Sequence, residues 1–510
     1  MIAFLRRQPT WLLAVVLGTL SALFSVTGSW IPSYWGDEAA SVMSAQRPLA
    51  SLEPMLERVD AVHGFFYVIL HFWIKVFGAS PFAVRSLSAL CVGLAAAGIV
   101  VLLSMFRHRT VAVLAAVTFA VLPRVTYMGV EARSYAMSAA CATWLTVLFV
   151  WLVRHTLRKA SAPEKSRRVS WQSLDLWAWL LYVAGFVLSI HVFLYLVLLL
   201  PVHAIVLFSQ TRRWRVLLTW LTSAVLILAL SFSFIREAMA EHKQIAFLAH
   251  RAPIDLGNIA VTQWFSHWWI ALAAWPLILI GLGLPALQRL RAYRSGQKPF
   301  TQELMLPSLV LLSAAWLFIP TGLLWLLNVF TPVYADRYLS FATPAIGIAI
   351  ALGLSHIRWL WLKIALVAAF IALIIPGYLS QRTPYAKNNG TDWNSVSELI
   401  SLDSQPGDAI LFDPTERNSR KPRLAEHLYP EQFSKVTDVA LAIPYAQRAW
   451  LWDSAAPLSS LSTPLASVNR VWVVEGTPSS TWGLKELEAM GFHQVRKIPV
   501  NISVVYEYER

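Results

Sequence analysis

Two consecutive carboxylates, Asp37 and Glu38, follow the first apolar run by about ten residues, in Ser29-Trp-Ile-Pro-Ser-Tyr-Trp-Gly-Asp37-Glu38. Aromatic residues crowd them, as at a membrane–water boundary. A carboxylate there can take a proton from an acceptor hydroxyl. The residue types alone also fit a solvated loop acid, or a helix N-cap opening Ala39–Gln46.

Other groups stand at comparable places beside apolar runs. Asp60-Ala-Val-His63-Gly64-Phe-Phe-Tyr67 offers an acid and an imidazole that can donate to a phosphate oxygen. Gly64 lets the backbone come close, while a turn capped by Asp60 is the plainer alternative. Arg85 opens the second apolar run in Pro81-Phe-Ala-Val-Arg85-Ser. An arginine so placed needs an acid or a phosphate as partner, or must reach back to the interface. The short stretch from Pro123 to Tyr135 holds Arg124, Tyr127, Glu131, Arg133 and Tyr135. It could form a salt bridge, or a contact to a sugar or metal. Tyr334-Ala-Asp336-Arg337-Tyr338 precedes a late apolar run. Arg337 is a planar donor that suits phosphate, and interface anchoring is the alternative. Trp264-Phe-Ser-His267-Trp268-Trp269 could stack on sugar or lipid, and His191 could line the same cavity; an aromatic belt and a structural histidine are the alternatives. No P-loop, dinucleotide glycine fingerprint, CxxC pair or HExxH motif occurs.

The elements that must position these groups follow from composition. The chain has 510 residues, 57% hydrophobic and 14% charged, against roughly 25% charged in soluble proteins. Eleven apolar runs are each near the length that crosses a bilayer. They are 9–28, 82–105, 111–128, 135–153, 176–191, 193–209, 216–235, 268–288, 304–327, 339–356 and 361–379. His63–Phe77 is apolar but interrupted by His71 and Lys75, which predicts a helix lying at the interface. The first run, preceded by Arg6 and Arg7, has no small-residue cleavage site after it and reads as an uncleaved anchor.

Charge sets the expected orientation. Residues 1–380 carry 29 Lys/Arg and 13 Asp/Glu, and residues 381–510 carry 13 and 15. The basic balance thus belongs to the membrane half and does not signal nucleic acid. With the N-terminus cytoplasmic, 19 of those 29 basic residues fall inside with only three acids, Glu164, Asp175 and Glu303, as the positive-inside rule requires. Residues 381–510 are then extracytoplasmic. They read as a small α/β domain: helices at Asp392–Leu402 and Leu484–Met490, strands at Ala409–Phe412, Val471–Val474 and Ile502–Tyr508. Cys91 and Cys141, the two cysteines, lie in apolar runs and indicate no disulfide framework.

At these residues the chain resembles the polytopic GT-C glycosyltransferases, in particular the dolichyl-phosphate-mannose–protein mannosyltransferase superfamily with its bacterial aminoarabinose transferases. The resemblance rests on Gly36-Asp37-Glu38-Ala, Val62-His63-Gly-Phe-Phe-Tyr67, Ser80-Pro-Phe-Ala-Val-Arg85, Glu131-Ala-Arg133-Ser-Tyr135 and Arg337-Tyr338-Leu. Where the family often has His-Pro-Pro, this chain has His63-Gly64-Phe65. The tail, with Thr391-Asp-Trp393 and Pro406-Gly-Asp408, is similar to those of actinobacterial cell-envelope transferases.

The resemblance implies a GT-C membrane domain over 1–380 followed by the 381–510 domain, a polyprenyl-phosphate sugar donor and Asp37 as base. The expected reaction is inverting transfer to an extracytoplasmic acceptor: a cell-envelope glycan, lipoglycan or protein. Arg337, then His63 and Arg85, would stabilise the leaving phosphate. Glu38, Asp60 and Glu131 would hold sugar hydroxyls, and Arg133, Tyr135 and Tyr338 complete the expected substrate-binding set. No cofactor is assigned, and Asp37 and Glu131 offer oxygen ligands to a divalent cation, Mg or Mn. A transporter or flippase of lipid-linked sugars is the alternative from another class, and a non-catalytic assembly protein a third. No internal repeat of the transporter kind is visible.

Overall fold

The computed structural model describes residues 8–106, 108–160, 174–241, 254–294, 309–388 and 390–510. Arg6, Arg7, Arg107, Glu164, Lys165, Arg167, Arg168, Lys298 and Glu303, used above to orient the chain, lie outside the described residues, as does the start of the 304–327 run.

Over the described residues every expected apolar run falls largely in helix. Among the described residues seven helices are long and apolar enough to cross a membrane: Pro81–Met105, Tyr135–Arg158, Trp214–Ala240, Trp268–Gln288, Leu309–Phe330, Asp336–Ser355 and Leu360–Ser380. The others are shorter, and the sequence shows why for two. Leu122 is driven out of the helical region (ψ 135°) by Pro123, so the 111–128 run divides into Arg109–Val121 and Pro123–Met128. The 193–209 run starts as a 3₁₀ turn, Leu194–Leu198, before Leu199–Gln210 becomes α-helical.

The chain divides into two compact units. The first comprises Met1–Thr27, Ser88–Val130 and Ser134–Tyr378. Its centre is Thr343–Ser355, buried along nearly its whole length and packed on Arg109–Val121 and Trp268–Arg294. A Cβ at Gly353 would stand 2.0 Å from the Leu277 carbonyl oxygen, so only glycine lets these backbones approach. Leu360–Ser380 is the opposite case. Few of its residues are buried, and Trp361 is 68% exposed, as expected of a face solvated by hydrocarbon.

The second unit comprises Gly28–Leu87, Glu131–Arg133 and Leu379–Arg510. The segment carrying the acid pair therefore clusters with the C-terminal residues. Helices Gly36–Gln46, Leu49–Leu56 and Gly64–Phe77 lie here. The C-terminal part forms a five-stranded sheet from β1 (Asp408–Phe412), β2 (Val436–Asp438), β5 (Arg470–Gly476), β6 (His493–Pro499) and β7 (Ser503–Glu509), in the order β2-β1-β5-β7-β6. A two-stranded ribbon pairs β3 (Leu441–Ile443) with β4 (Ser454–Ala455). β1 runs parallel to β2 and β5, and β7 antiparallel to β5 and β6. The apolar run of β5 fits a central strand covered on both faces. β6 is an edge strand, exposed and carrying Arg496 and Lys497, a composition that discourages pairing with another sheet. Asp392 ties the start of this domain to its end. Its carboxylate accepts from the backbone N–H groups of Asn501, Ile502 and Ser503, each at 2.9 Å, and from Ser503 Oγ at 2.8 Å.

Candidate active site

In the second unit, helix Gly36–Gln46 puts both acids in its first turn. Its N-cap is Trp35, with no side-chain cap bond, so neither Asp37 nor Glu38 serves as the cap that residue types allowed. Both carboxylates gain from the positive end of the helix dipole. Consecutive helical residues diverge by about 100°, and here the divergence separates two fates. Glu38 is 0% exposed while Asp37 is only partly buried.

Glu38 is clamped. Arg85 Nε donates to its Oε1 at 2.8 Å and Arg85 Nη2 to its Oε2 at 2.6 Å, a two-point pair with both side chains fully buried. Ala132 N adds a third bond to Oε1 at 2.9 Å. Arg85 spends its other donors on the carbonyl oxygens of Ser29, Pro32 and Ser33. The acid or phosphate partner that this arginine demanded is Glu38, and the pair fastens the loop before Asp37 to the helix that carries it.

Arg133 builds a second brace. Its Nη1 donates to the Asp37 carbonyl oxygen (3.3 Å), Ser41 Oγ (3.3 Å) and the Tyr67 hydroxyl (3.4 Å). Its Nη2 donates to His63 Nε2 at 2.7 Å. Nε2 of His63 is therefore an acceptor here, in a neutral ring, rather than the phosphate donor that its residue type suggested. Tyr67 passes the chain on by donating to Asp60 Oδ2 at 2.8 Å. Asp60 sits in the left-handed region, φ 62°. Burial pushes its carboxyl above the ordinary range, against the pull of Arg133 and the Tyr67 hydrogen bond; the neighbouring Asp37 charge adds to the rise.

Glu131, 1% exposed, belongs to the same unit. One charged residue there escaped the sequence reading. Lys387 is 1% exposed, and burial lowers its ammonium to about 8 although Glu38 and Glu131 both favour the proton. It lies in Thr383-Pro-Tyr-Ala-Lys387-Asn-Asn-Gly390, a polar stretch with nothing in its pattern to distinguish it from a solvated connection.

Tyr135, Arg337 and Tyr338 belong to the first unit. Arg337 and Tyr338 lie in a 3₁₀ turn, Asp336–Ala342, that leads into Thr343–Ser355. Asp336 accepts from Arg337 N at 2.9 Å and from Arg124 Nη2 at 2.5 Å. Arg124 also holds the carbonyl oxygens of Gln263 (2.9 Å) and Thr262 (3.1 Å). Arg337 lies 5.9 Å from the centre of the Tyr338 ring, which stacks on Tyr195 at 5.0 Å. Tyr135 is buried against Phe193. His191 stacks on Phe234 and bonds the Val187 carbonyl oxygen, so it serves its own helix. This unit also holds a cavity of about 740 Å³ lined by Trp144, Leu148, Trp151 and Arg154. Among the described residues no carboxylate lines it.

Among the described residues no group of three or more His, Cys, Asp or Glu side chains is placed to hold a metal ion.

No family model matches the sequence, and no curated protein matches it. Solved structures do match. ArnT from Cupriavidus metallidurans in the apo state is 11% identical, aligned over 97% of this chain and 97% of that one, with a TM-score of 0.53. The same protein bound to undecaprenyl phosphate is 10% identical over 97% of each chain, with a TM-score of 0.50. At this identity the likeness is one of fold, and it spans nearly the whole of both chains: the architecture is that of ArnT, a GT-C membrane fold ending in a small sheet domain.

Proposed function

We propose that this chain is an inverting glycosyltransferase that moves one sugar from a polyprenyl-phosphate carrier to a hydroxyl of an extracytoplasmic acceptor. The observation that carries the reading is the split fate of the acid pair. Glu38 is sealed into a clamp with Arg85, and Asp37 beside it is held by its backbone while its side chain stays partly exposed. A base needs this combination of fixed position and access to substrate. The shared fold with ArnT, which has been seen with undecaprenyl phosphate, supports a lipid-phosphate donor.

The acceptor oxygen attacks the anomeric carbon opposite the phosphate, and Asp37 takes the hydroxyl proton. The bond from the anomeric carbon to the phosphate oxygen breaks, its electron pair leaves with the phosphate, and the configuration inverts. Polyprenyl phosphate is a stable anion, so no general acid is needed. Arg337 is assigned to the donor phosphate. Glu38 and Arg85 become positioning residues. His63 and Tyr67 orient Arg133, and Asp60 and Glu131 remain candidates for sugar hydroxyls. The N-terminus is assigned to the cytoplasm and residues 381–510 to the other side, on the strength of the basic inner loops. The transferred sugar is assigned to the hexose or pentose class. The transporter alternative draws no support from this fold.

Purified protein in lipid nanodiscs, given a panel of polyprenyl-phosphate sugars and mixed envelope acceptors, should consume one donor. Asp37→Asn should consume it about 10²–10⁴-fold more slowly while melting at the wild-type temperature. Full turnover by that variant would remove Asp37 from the mechanism.

A further inference from the structure

The sheet of the second unit changes direction beside β1 and β5. The connection out of β1 leads to β2 on one side, and β5 lies on the other. In open α/β sheets the crevice outside the carboxyl ends of strands at such a point is where ligands bind. Here that place is hollow. A crevice of about 110 Å³ is bounded by the segment after β1, through Glu416, Ser419 and Arg420, and by the last residue of β5, Gly476, with Thr477 after it. Trp393, 3% exposed, contributes its floor. That is several times the space one water needs.

The lining has a definite chemistry. Glu416 is partly buried, and a Cβ at position 476 would come 2.7 Å from its Oε1, so Gly476 is what lets the carboxylate lie across the end of β5. Among the described residues neither the Glu416 carboxylate nor the Arg420 guanidinium has a hydrogen bond or ion pair within the protein. Asn388 and Thr477 add an amide and a hydroxyl. One acid, one base and neutral donors and acceptors over an indole make a net-neutral surface. It offers hydrogen-bond partners in both senses, as vicinal hydroxyls require. An anionic ligand would meet the Glu416 charge; an apolar one would leave these groups unpaired.

The crevice is also tied to the acid pair. Gly36, the residue before Asp37, packs so tightly on this loop that a Cβ would fall 2.3 Å from the Ser419 carbonyl oxygen. The wall of the crevice thus abuts the first turn of the helix that carries Asp37.

We propose that this crevice binds a neutral sugar unit of the acceptor, as a subsite beside the one that presents the reacting hydroxyl. The proposal rests on the glycosyltransferase reading for its place in the reaction, but binding can be tested without it. Full-length protein in nanodiscs is titrated with neutral disaccharides (mannobiose, arabinobiose and galactobiose) and with a glucuronate-containing disaccharide, followed by saturation-transfer NMR. At least one neutral disaccharide should bind, with at least a tenfold weaker Kd in Glu416→Gln and Arg420→Ala and partial recovery in Arg420→Lys. Equal binding by wild type and variants, or binding of the glucuronate probe alone, overturns the proposal. Where turnover is measurable, acceptor KM should rise at least tenfold in both variants, by more than donor KM changes. Absence of turnover with every polyprenyl-phosphate sugar would count against the enzymatic reading, and the titration still decides the crevice.

Discussion

The two units each hold a charge pair between segments distant in sequence, and the pairs differ in burial. Glu38 and Arg85 are both 0% exposed, bonded at two points, with the remaining arginine donors on backbone carbonyls. Arg124 and Asp336 are 9% and 29% exposed, meet through one guanidinium nitrogen, and stand beside the partly exposed Arg337. The lesson is that a carboxylate next to a proposed base can be scaffold, and that exposure separates scaffold from chemistry better than proximity in sequence does. A sealed pair has no valence left for a ligand, and its worth lies in what it fastens.

The largest expected effect separates Asp37 from Glu38. Asp37→Asn should cost about 10²–10⁴ in kcat, the usual range for a general base, with no change in melting temperature. Glu38→Ala should instead act on folding. It strands the Arg85 charge in a dry interior, a loss of about 3–5 kcal/mol, read as a fall in denaturant or thermal midpoint. If Glu38→Ala kept its midpoint and lost activity, the contrast drawn between the neighbours would be inverted.

The open pair should respond less. Arg124→Ala loses hydrogen bonds to Gln263, Thr262 and Asp336. Because Asp336 can turn to solvent, the expected cost is about 1–3 kcal/mol. Arg337→Ala should raise donor KM with little change in stability; a stable variant with unchanged donor KM would argue against a phosphate contact.

The smallest effect is a pH dependence in the C-terminal domain. Burial, followed by the Asp438 charge, raises the Glu426 carboxyl to about 7 from an ordinary 4.5. Between those values the folded state binds more protons than the unfolded one, so this group makes stability fall as pH rises from about 4.5 through about 7. In Glu426→Gln that part of the slope should vanish when midpoints are compared from pH 5 to 8. An identical slope in the variant would assign it to other groups.

Much of the architecture was legible in the residues. Hydrophobic runs of membrane length mark helices whatever their neighbours, because an unsatisfied backbone in hydrocarbon is prohibitive. The strands of the tail around Ile410 and Val473 announced themselves by short apolar runs between turn residues. β6 did not, since an edge strand with Arg496 and Lys497 facing solvent has the composition of a loop. Of the candidate site, the acid pair, Arg85, Arg133 and Asp60 were found by their placement beside apolar runs. Lys387 was not, because its burial depends wholly on tertiary packing.

The sequence by itself determined a polytopic helical chain, a separate α/β tail and a set of charges at the rims of apolar runs. These follow from hydropathy and period, which are local. Tertiary structure alone decided that Glu38 pairs with Arg85 across 47 positions, that Arg133 braces the Asp37 backbone, and that β1 and β5 end at a polar crevice. Partners for a charge are chosen by three-dimensional proximity and by the cost of leaving it unpaired in a dry interior, and no residue states that cost until its neighbours have gathered.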